Sequence, residues 1–208
     1  MLEARDLTCL KGDRLLFRGL ALKVTAGNLL RVAGANGTGK TSLLRLLCGL
    51  TRPEAGTLQW HGQSVQAVRD QFHQALFYLG HASALNDLLT PLENLYFTCT
   101  TAGDQVSLQD CRHALERIGL ARQFDLPAHV LSQGQRRRIG LARLFLASHR
   151  PLWILDEPFT ALDSAAVTDL AITLSAHCTN GGMVILTTHQ DAPFTFPPTL
   201  LNVGDWAC

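Results

Sequence analysis

Apolar and polar positions change their period several times along the chain, and each change marks an element. Leu20, Leu22 and Val24 alternate along residues 15–24, the period-two pattern of a half-buried strand. Together with residues 2–10 this predicts a strand pair around a Lys11-Gly12-Asp13 turn. Leu29–Ala33, Ala75–Leu79, Leu152–Leu155 and Met183–Leu186 are short apolar runs and predict buried strands. Thr57–Trp60 and Leu200–Val203 complete the strand set, whereas residues 63–74 are polar and show no clear period.

Helices are marked by their ends. Ser42–Cys48 closes at Gly49, where a C-cap glycine belongs. Thr90-Pro91-Leu92-Glu93 is a capping box with proline at the first helical position and opens a helix through Phe97. Ser107-Leu108-Gln109-Asp110 repeats the signal before Cys111–Ile118, which Gly119 ends. Further helices are expected over Arg136–Ser148 and Ser164–Ala176. Apolar strands separated by helices argue a mainly parallel sheet covered on both faces.

The stretch that turns this pattern into chemistry is Gly34-Ala35-Asn36-Gly37-Thr38-Gly39-Lys40-Thr41-Ser42, between one buried strand and one helix. Gly34 to Thr41 fits G-x-x-x-x-G-K-[ST] at every fixed position. Glycines let successive backbone N–H groups turn inward on a phosphate chain, and the helix opening at Lys40 adds unpaired N–H groups and a positive dipole end. Lys40 is expected to place a point charge at the β- and γ-phosphates, and Thr41 to give a hydroxyl ligand to Mg²⁺. The fold class expected is therefore α/β: a phosphate-loop nucleotidase core with a mainly parallel sheet, an N-terminal antiparallel β subdomain and a helical insertion at about residues 82–131. One domain, residues 1–208, is expected to hold all of it.

Hydrophobic residues make up 47% of the chain and charged ones 17%, enough for a core and against disorder. A formal net charge of +1 leaves no electrostatic footprint for nucleic acid or an anionic bilayer, so no nucleic acid partner is expected. Cys9, Cys48, Cys99, Cys111, Cys178 and Cys208 form no C-x-x-C pair and no zinc spacing with histidine, as expected of reduced thiols. The N-terminal Met1-Leu2-Glu3-Ala4-Arg5-Asp6 lacks an apolar signal core, and no apolar run reaches the ~20 residues of a membrane span. Contact with a bilayer is expected only through a partner.

Two acids, Asp156 and Glu157, follow the apolar Leu152–Leu155 run, at the carboxyl end of a strand where α/β sheets bind ligands. Asp156 is expected to hold Mg²⁺ and Glu157 to polarise an attacking water. His189 ends another apolar strand and has two readings: a structural histidine, or one that bonds the γ-phosphate and holds the water in line. Leu131-Ser132-Gln133-Gly134-Gln135 offers a hydroxyl, a glycine and helix N–H groups, the parts of a second phosphate-binding surface. Two chains arranged head to tail would each complete the other's site.

With these motifs in place, the chain resembles the ATP-binding-cassette ATPases from about Leu2 to Val203. Gly34–Thr41 matches the Walker A loop, Leu131–Gln135 the signature, Leu152–Glu157 the Walker B strand, Asp163 the D-loop and His189 the switch histidine. The resemblance implies two copies sandwiching two ATPs, with Ser132, Gln133, Gly134 and Gln135 of one chain serving the ATP on Lys40 of the other. It also implies a membrane subunit whose coupling helix docks beside residues 81–97. Three positions depart from the family pattern. Gln133 stands where glycine is usual, and His81 occupies the Q-loop glutamine position. The adenine-stacking tyrosine falls near Lys11, with Phe17 a possible substitute.

More closely, Asn36–Arg45, Tyr78-Leu79-Gly80-His81, Leu152–Thr160 and Gly181–Gln190 look like the ATP-binding subunit of the bacterial cytochrome c maturation system, the haem exporter ATPase. That resemblance implies an ATP-hydrolysing, peripheral protein on the cytoplasmic face of the inner membrane. Its partner would be an integral membrane subunit of that system, and its task haem export or delivery for c-type cytochromes. The alternative is the ATPase subunit of another small-molecule transporter. A soluble cassette acting on DNA or ribosomes would normally show a coiled-coil insertion, a second cassette or a basic face. A phosphate-loop kinase has no use for Leu131–Gln135.

Overall fold

The computed structural model describes residues 1–80 and 84–207. The chain divides into two compact units, Met1–Tyr78 with Arg150–Pro158 and Ala171–Cys208, and Leu79–His149 with Phe159–Leu170. The Ser132 segment falls in the second unit.

The first unit begins with β1 (Leu2–Lys11) and β2 (Arg14–Val24), an antiparallel pair running from Leu2↔Val24 to Lys11↔Arg14 with register shifts between Ala4 and Leu10. With β4 (Ala55–Trp60) and β5 (Gln63–Ser64) they form a sheet of order β2-β1-β4-β5. The other sheet holds β3 (Leu29–Ala33), β6 (Leu76–Leu79), β7 (Leu152–Asp156), β8 (Met183–Thr187) and β9 (Thr199–Asn202) in the order β6-β7-β8-β3-β9. Its β7–β8, β8–β3 and β3–β9 pairs are parallel. Every residue of β7 and β8 is buried, as a sheet covered on both faces requires. The expected α/β fold is what the chain adopts.

Helix α1 (Lys40–Leu47) buries Leu43, Leu44, Leu46 and Leu47, one face of a 3.6-residue period. These side chains share a core with Leu2, Phe17 and Leu20 of the antiparallel sheet and with Val32, Ile154 and Ile185 of the parallel one. Each leucine so buried contributes about 1.5–3 kcal/mol relative to exposure. That core fixes where α1 begins, and so where the glycine loop before it stands. Helix α2 (Arg69–Ala75) was not expected, because it buries only Phe72 and a single apolar position leaves no period to read.

Helix α6 (Ser164–Thr179) ends near a tightly packed histidine. The His177 ring stacks on Trp153, centroids 3.7 Å apart and 6° from parallel, and a Cβ on Gly182 would overlap its Nε2. Burial lowers the His177 pKa, opposed by a weaker hydrogen bond to the Pro151 backbone. A base with a depressed folded pKa is protonated more readily when unfolded. Its contribution to stability is complete above the ordinary histidine value of about 6.5 and is lost as pH falls below it. Urea midpoints at about pH 7.5 and about pH 5 should therefore differ less in His177→Gln than in the unaltered chain.

The second unit packs α3 (Pro91–Thr101), α4 (Leu108–Arg117) and α5 (Gln133–Ala142) against one another, with a 3-10 turn, Arg143–Leu146, following α5. The expected capping boxes at Thr90/Glu93 and Ser107/Asp110 are both formed. A third, Ser132/Gln135, starts α5 three residues before the Arg136 expected from sequence. Helix α3 runs to Thr101, four residues past its expected end.

Candidate functional site

In the first unit the loop leaving β3 is shaped by its glycines. Gly39, at φ +103°, is the N-cap of α1, and Leu16 and Phe17 lie 3.2–3.3 Å from where its Cβ would be. Gly34, at φ +144°, has Thr38 Oγ1 2.7 Å from its Cβ position. Both positions combine a left-handed backbone with no room for a side chain. Phe17 is wholly buried under this loop, so it cannot offer its ring to a base; the sequence expectation of a stacking role is corrected. It is a core residue of β2.

Thr38 closes the loop by donating from its hydroxyl to the Ala35 carbonyl at 2.9 Å. Lys40 Nζ donates to the Gly34 and Ala35 carbonyls at 2.7 and 3.1 Å, which folds the ammonium over the loop. Behind it the first-turn amides of α1 have no carbonyl partner within the helix. Thr41 faces the other way, and its hydroxyl donates to Asp156 Oδ2 at 2.9 Å.

Asp156 is almost fully buried at the end of β7, and its other oxygen, Oδ1, accepts from Thr187 Oγ1 at 2.8 Å. The β7–β8 register pairs Asp156 with Thr187 directly. The Thr187 hydroxyl also accepts from the Glu157 backbone N–H at 2.9 Å. One buried threonine therefore orients both acids. The sequence reading missed it, although a hydroxyl at the end of an apolar strand neighbouring the acidic one is a readable signal. Nearby, the Cys48 thiol is pushed well up by burial, and further by the Asp156 charge.

Glu157 sits at φ +52°, a strained conformation for a residue with a side chain. The turn brings its carboxylate Oε1 to 3.5 Å from His189 Nε2, with the glutamate largely buried and the histidine largely exposed. His189 thus stands at the surface beside the second acid. Arg31 reaches the Thr188 carbonyl at 3.4 Å and Asp191 at 3.7 Å, on either side of His189.

The second unit holds the other motif. Ser132 Oγ accepts from the Gln135 N–H at 3.2 Å, and Gln135 Oε1 accepts from the Ser132 N–H at 2.9 Å. A Cβ on Gly134 would lie 3.2 Å from Ala161 Cβ, and Arg138 donates to the Ala161 carbonyl at 3.0 and 3.3 Å. Asp163 accepts the Ala166 N–H at 2.9 Å and caps α6. Gln133 follows the cap as the first residue of α5. His81 lies outside the described residues.

Magnesium takes hard oxygen ligands and is commonly held by one or two protein groups plus substrate phosphates. The Thr41 hydroxyl and the Asp156 carboxylate, already 2.9 Å apart, fit that requirement. Among the described residues no cluster of three or more His, Cys, Asp or Glu forms a metal cage of protein groups alone.

Comparison with known proteins bears on the family and the fold. The profile of the ABC transporter family matches residues 17–160. The chain is 68% identical, over all of its own length and 97% of the relative's, to the cytochrome c biogenesis ATP-binding export protein CcmA of Aromatoleum aromaticum. It is 53% identical to the protein of that name from Dechloromonas aromatica, over 91% of this chain and 93% of the other. Among solved structures, an ABC transporter ATP-binding protein from Pyrococcus furiosus superposes with a TM-score of 0.81 at 22% identity, covering 100% and 99% of the two chains. A dimeric ATP-binding cassette bound to ADP and Pi superposes at 0.76 and 21% identity, over 91% and 88%. At those identities the two structures speak for the fold.

Proposed function

This chain belongs to the ABC transporter family and, within it, to the cytochrome c biogenesis ATP-binding export proteins, and from that premise we propose how its residues divide the work. It is an ATPase whose hydrolysis is coupled to export. The cargo step it energises is haem export or delivery for c-type cytochromes. It works as two copies around two ATPs, on a membrane subunit of the same system, at the cytoplasmic face of the inner membrane. Among the described residues no helix is long and apolar enough to cross a membrane, which suits attachment through a partner.

The observation that carries the site assignment is the buried Asp156 carboxylate, whose two oxygens are taken by Thr41 and Thr187. It links the phosphate loop, the acidic strand and the strand that carries His189. Residues Gly34 to Ser42 wrap the phosphates with backbone N–H groups, and Lys40 exchanges its two loop carbonyls for β- and γ-phosphate oxygens, stronger charge-assisted partners. Thr41 and Asp156 would hold Mg²⁺, which would supply positive charge against the phosphates. Glu157 accepts the proton of the attacking water, and His189 beside it holds the water and the γ-phosphate in line. Ser132, Gln133, Gly134 and Gln135 close on the partner copy's γ-phosphate, with the free N–H groups of α5 supplying the positive end. The Asp163 segment stands at the same two-copy interface.

The test of the cellular assignment is affinity capture of the tagged chain from native membranes in mild detergent. A membrane subunit encoded for cytochrome c biogenesis should copurify in stoichiometric amount. Recovery of an unrelated transporter's membrane subunit instead would move the assignment to a general small-molecule transporter.

A further inference from the structure

The segment before α3 is held with unusual completeness. Asn94 is buried, and its amide Nδ2 donates to the carbonyls of Asn86, Leu89 and Thr90 at 3.0–3.1 Å. Its Oδ1 accepts the Asn86 N–H at 2.8 Å. Asn86 Oδ1 in turn accepts the Leu88 N–H at 3.0 Å. One buried amide thus sets the backbone of residues 86–90.

The same segment is strapped to the chain that leads into α5. The Ala128 N–H donates to the Leu89 carbonyl at 2.9 Å, and the His129 N–H to the Asp87 carbonyl at 3.0 Å. Three residues further on stands Ser132, the N-cap of α5. The Asp87 carboxylate then reaches past it to the guanidinium of Arg136, in the first turn beyond the cap. The tip of the strapped segment, Leu88, is 80% exposed, and Phe97 on α3 is 64% exposed.

We propose that Asp87 and Arg136 are positioning residues that carry a load from the exposed Leu88 tip into the first turn of α5 and so set where Ser132 stands. This rests on the reading that the membrane subunit docks beside residues 81–97 and that Ser132 serves the partner copy's ATP. A side chain that only filled a turn would need no ion pair to the signature helix. Because Asn94 ties Asn86, Leu89 and Thr90 to the start of α3, displacement of the tip is passed on rather than absorbed. Among the described residues the load can pass through the backbone strap at Ala128 and His129, which lead into α5, and through the Asp87–Arg136 pair on α5 itself. The pair is the one that side-chain substitution can remove.

The experiment uses the full chain reconstituted with its membrane subunit in lipid, with Asp87→Ala, Arg136→Ala and the exchanged pair Asp87→Arg/Arg136→Asp. Stimulation by the membrane subunit should fall at least about fivefold in each single variant, a coupling of the ordinary allosteric size, with the rate of the chain alone within about twofold. The exchanged pair should recover most of the stimulation, because the charges still meet, and a double-mutant cycle isolates that term. An exposed pair adds little to stability, so the melting temperature should not move. Single variants that keep full stimulation would overturn the proposal. So would loss of stimulation that tracks a fall in melting temperature, or an exchanged pair no better than the singles. Ser132→Arg in the same preparation separates the two readings. If it leaves hydrolysis intact, the two-copy site itself is wrong; if it stops hydrolysis while Arg136→Ala keeps stimulation, only the positioning role fails.

Discussion

Glu157→Gln is expected to bind ATP as the unaltered chain does and to hydrolyse it at least about a hundredfold more slowly, the usual contribution of a positioned general base. The amide keeps the shape of the carboxylate and its place beside His189, 3.5 Å away, but accepts a proton far less readily. The strained turn at Glu157, φ +52°, is held by the backbone N–H bond to Thr187, which the substitution does not touch. Fold and nucleotide affinity should therefore survive while the chemical step stops. Steady-state hydrolysis and equilibrium binding of a fluorescent ATP analogue, on the same preparation, give both numbers. Hydrolysis near the unaltered rate would remove Glu157 from the catalytic role.

Lys40→Ala should act on both binding and chemistry. In the proposed site its ammonium meets the β- and γ-phosphates, and loss of a charge-assisted contact of about 1.5–3 kcal/mol should weaken ATP binding roughly ten- to hundredfold. Removing a positioned group that stabilises transition-state charge lowers turnover by about 10²–10³-fold in addition. The side chain also ties the loop to itself through the Gly34 and Ala35 carbonyls, so the thermal midpoint should be recorded alongside. A melting temperature close to that of the unaltered chain, with hydrolysis gone, is the expected result. Hydrolysis within a factor of a few of normal would contradict the assignment.

The parts of this molecule that the sequence made legible are those written in residue type and spacing. The glycine loop, the Asp156-Glu157 pair and the Thr90 and Ser107 capping boxes each need particular residues at fixed offsets, and each stands where expected. Helix α2 was hidden because one buried phenylalanine in seven residues makes no period. The start of α5 was misplaced because Gly134 disfavours helix locally, while the Ser132/Gln135 box outweighs it. Phe17 looked available because an aromatic residue near the loop can be either core or ligand contact, and only its burial decides. Thr187, Asp87 and Arg136 gain their meaning from strand register and from contacts across 31 and 49 residues of chain, which no local pattern carries.

On the proposed reading, Ser132 of one copy completes the ATP site built on Lys40, Thr41, Asp156 and Glu157 of another. The most direct test of that reading is the mass in solution of Glu157→Gln, with and without ATP and Mg²⁺, beside Glu157→Gln/Ser132→Arg. ATP should double the mass of the first variant, whereas the second should stay a single chain although each copy still binds ATP with the same affinity. Loss of ATP binding by the isolated Ser132→Arg chain, or ATP-driven pairing that Ser132→Arg leaves unchanged, would contradict that reading.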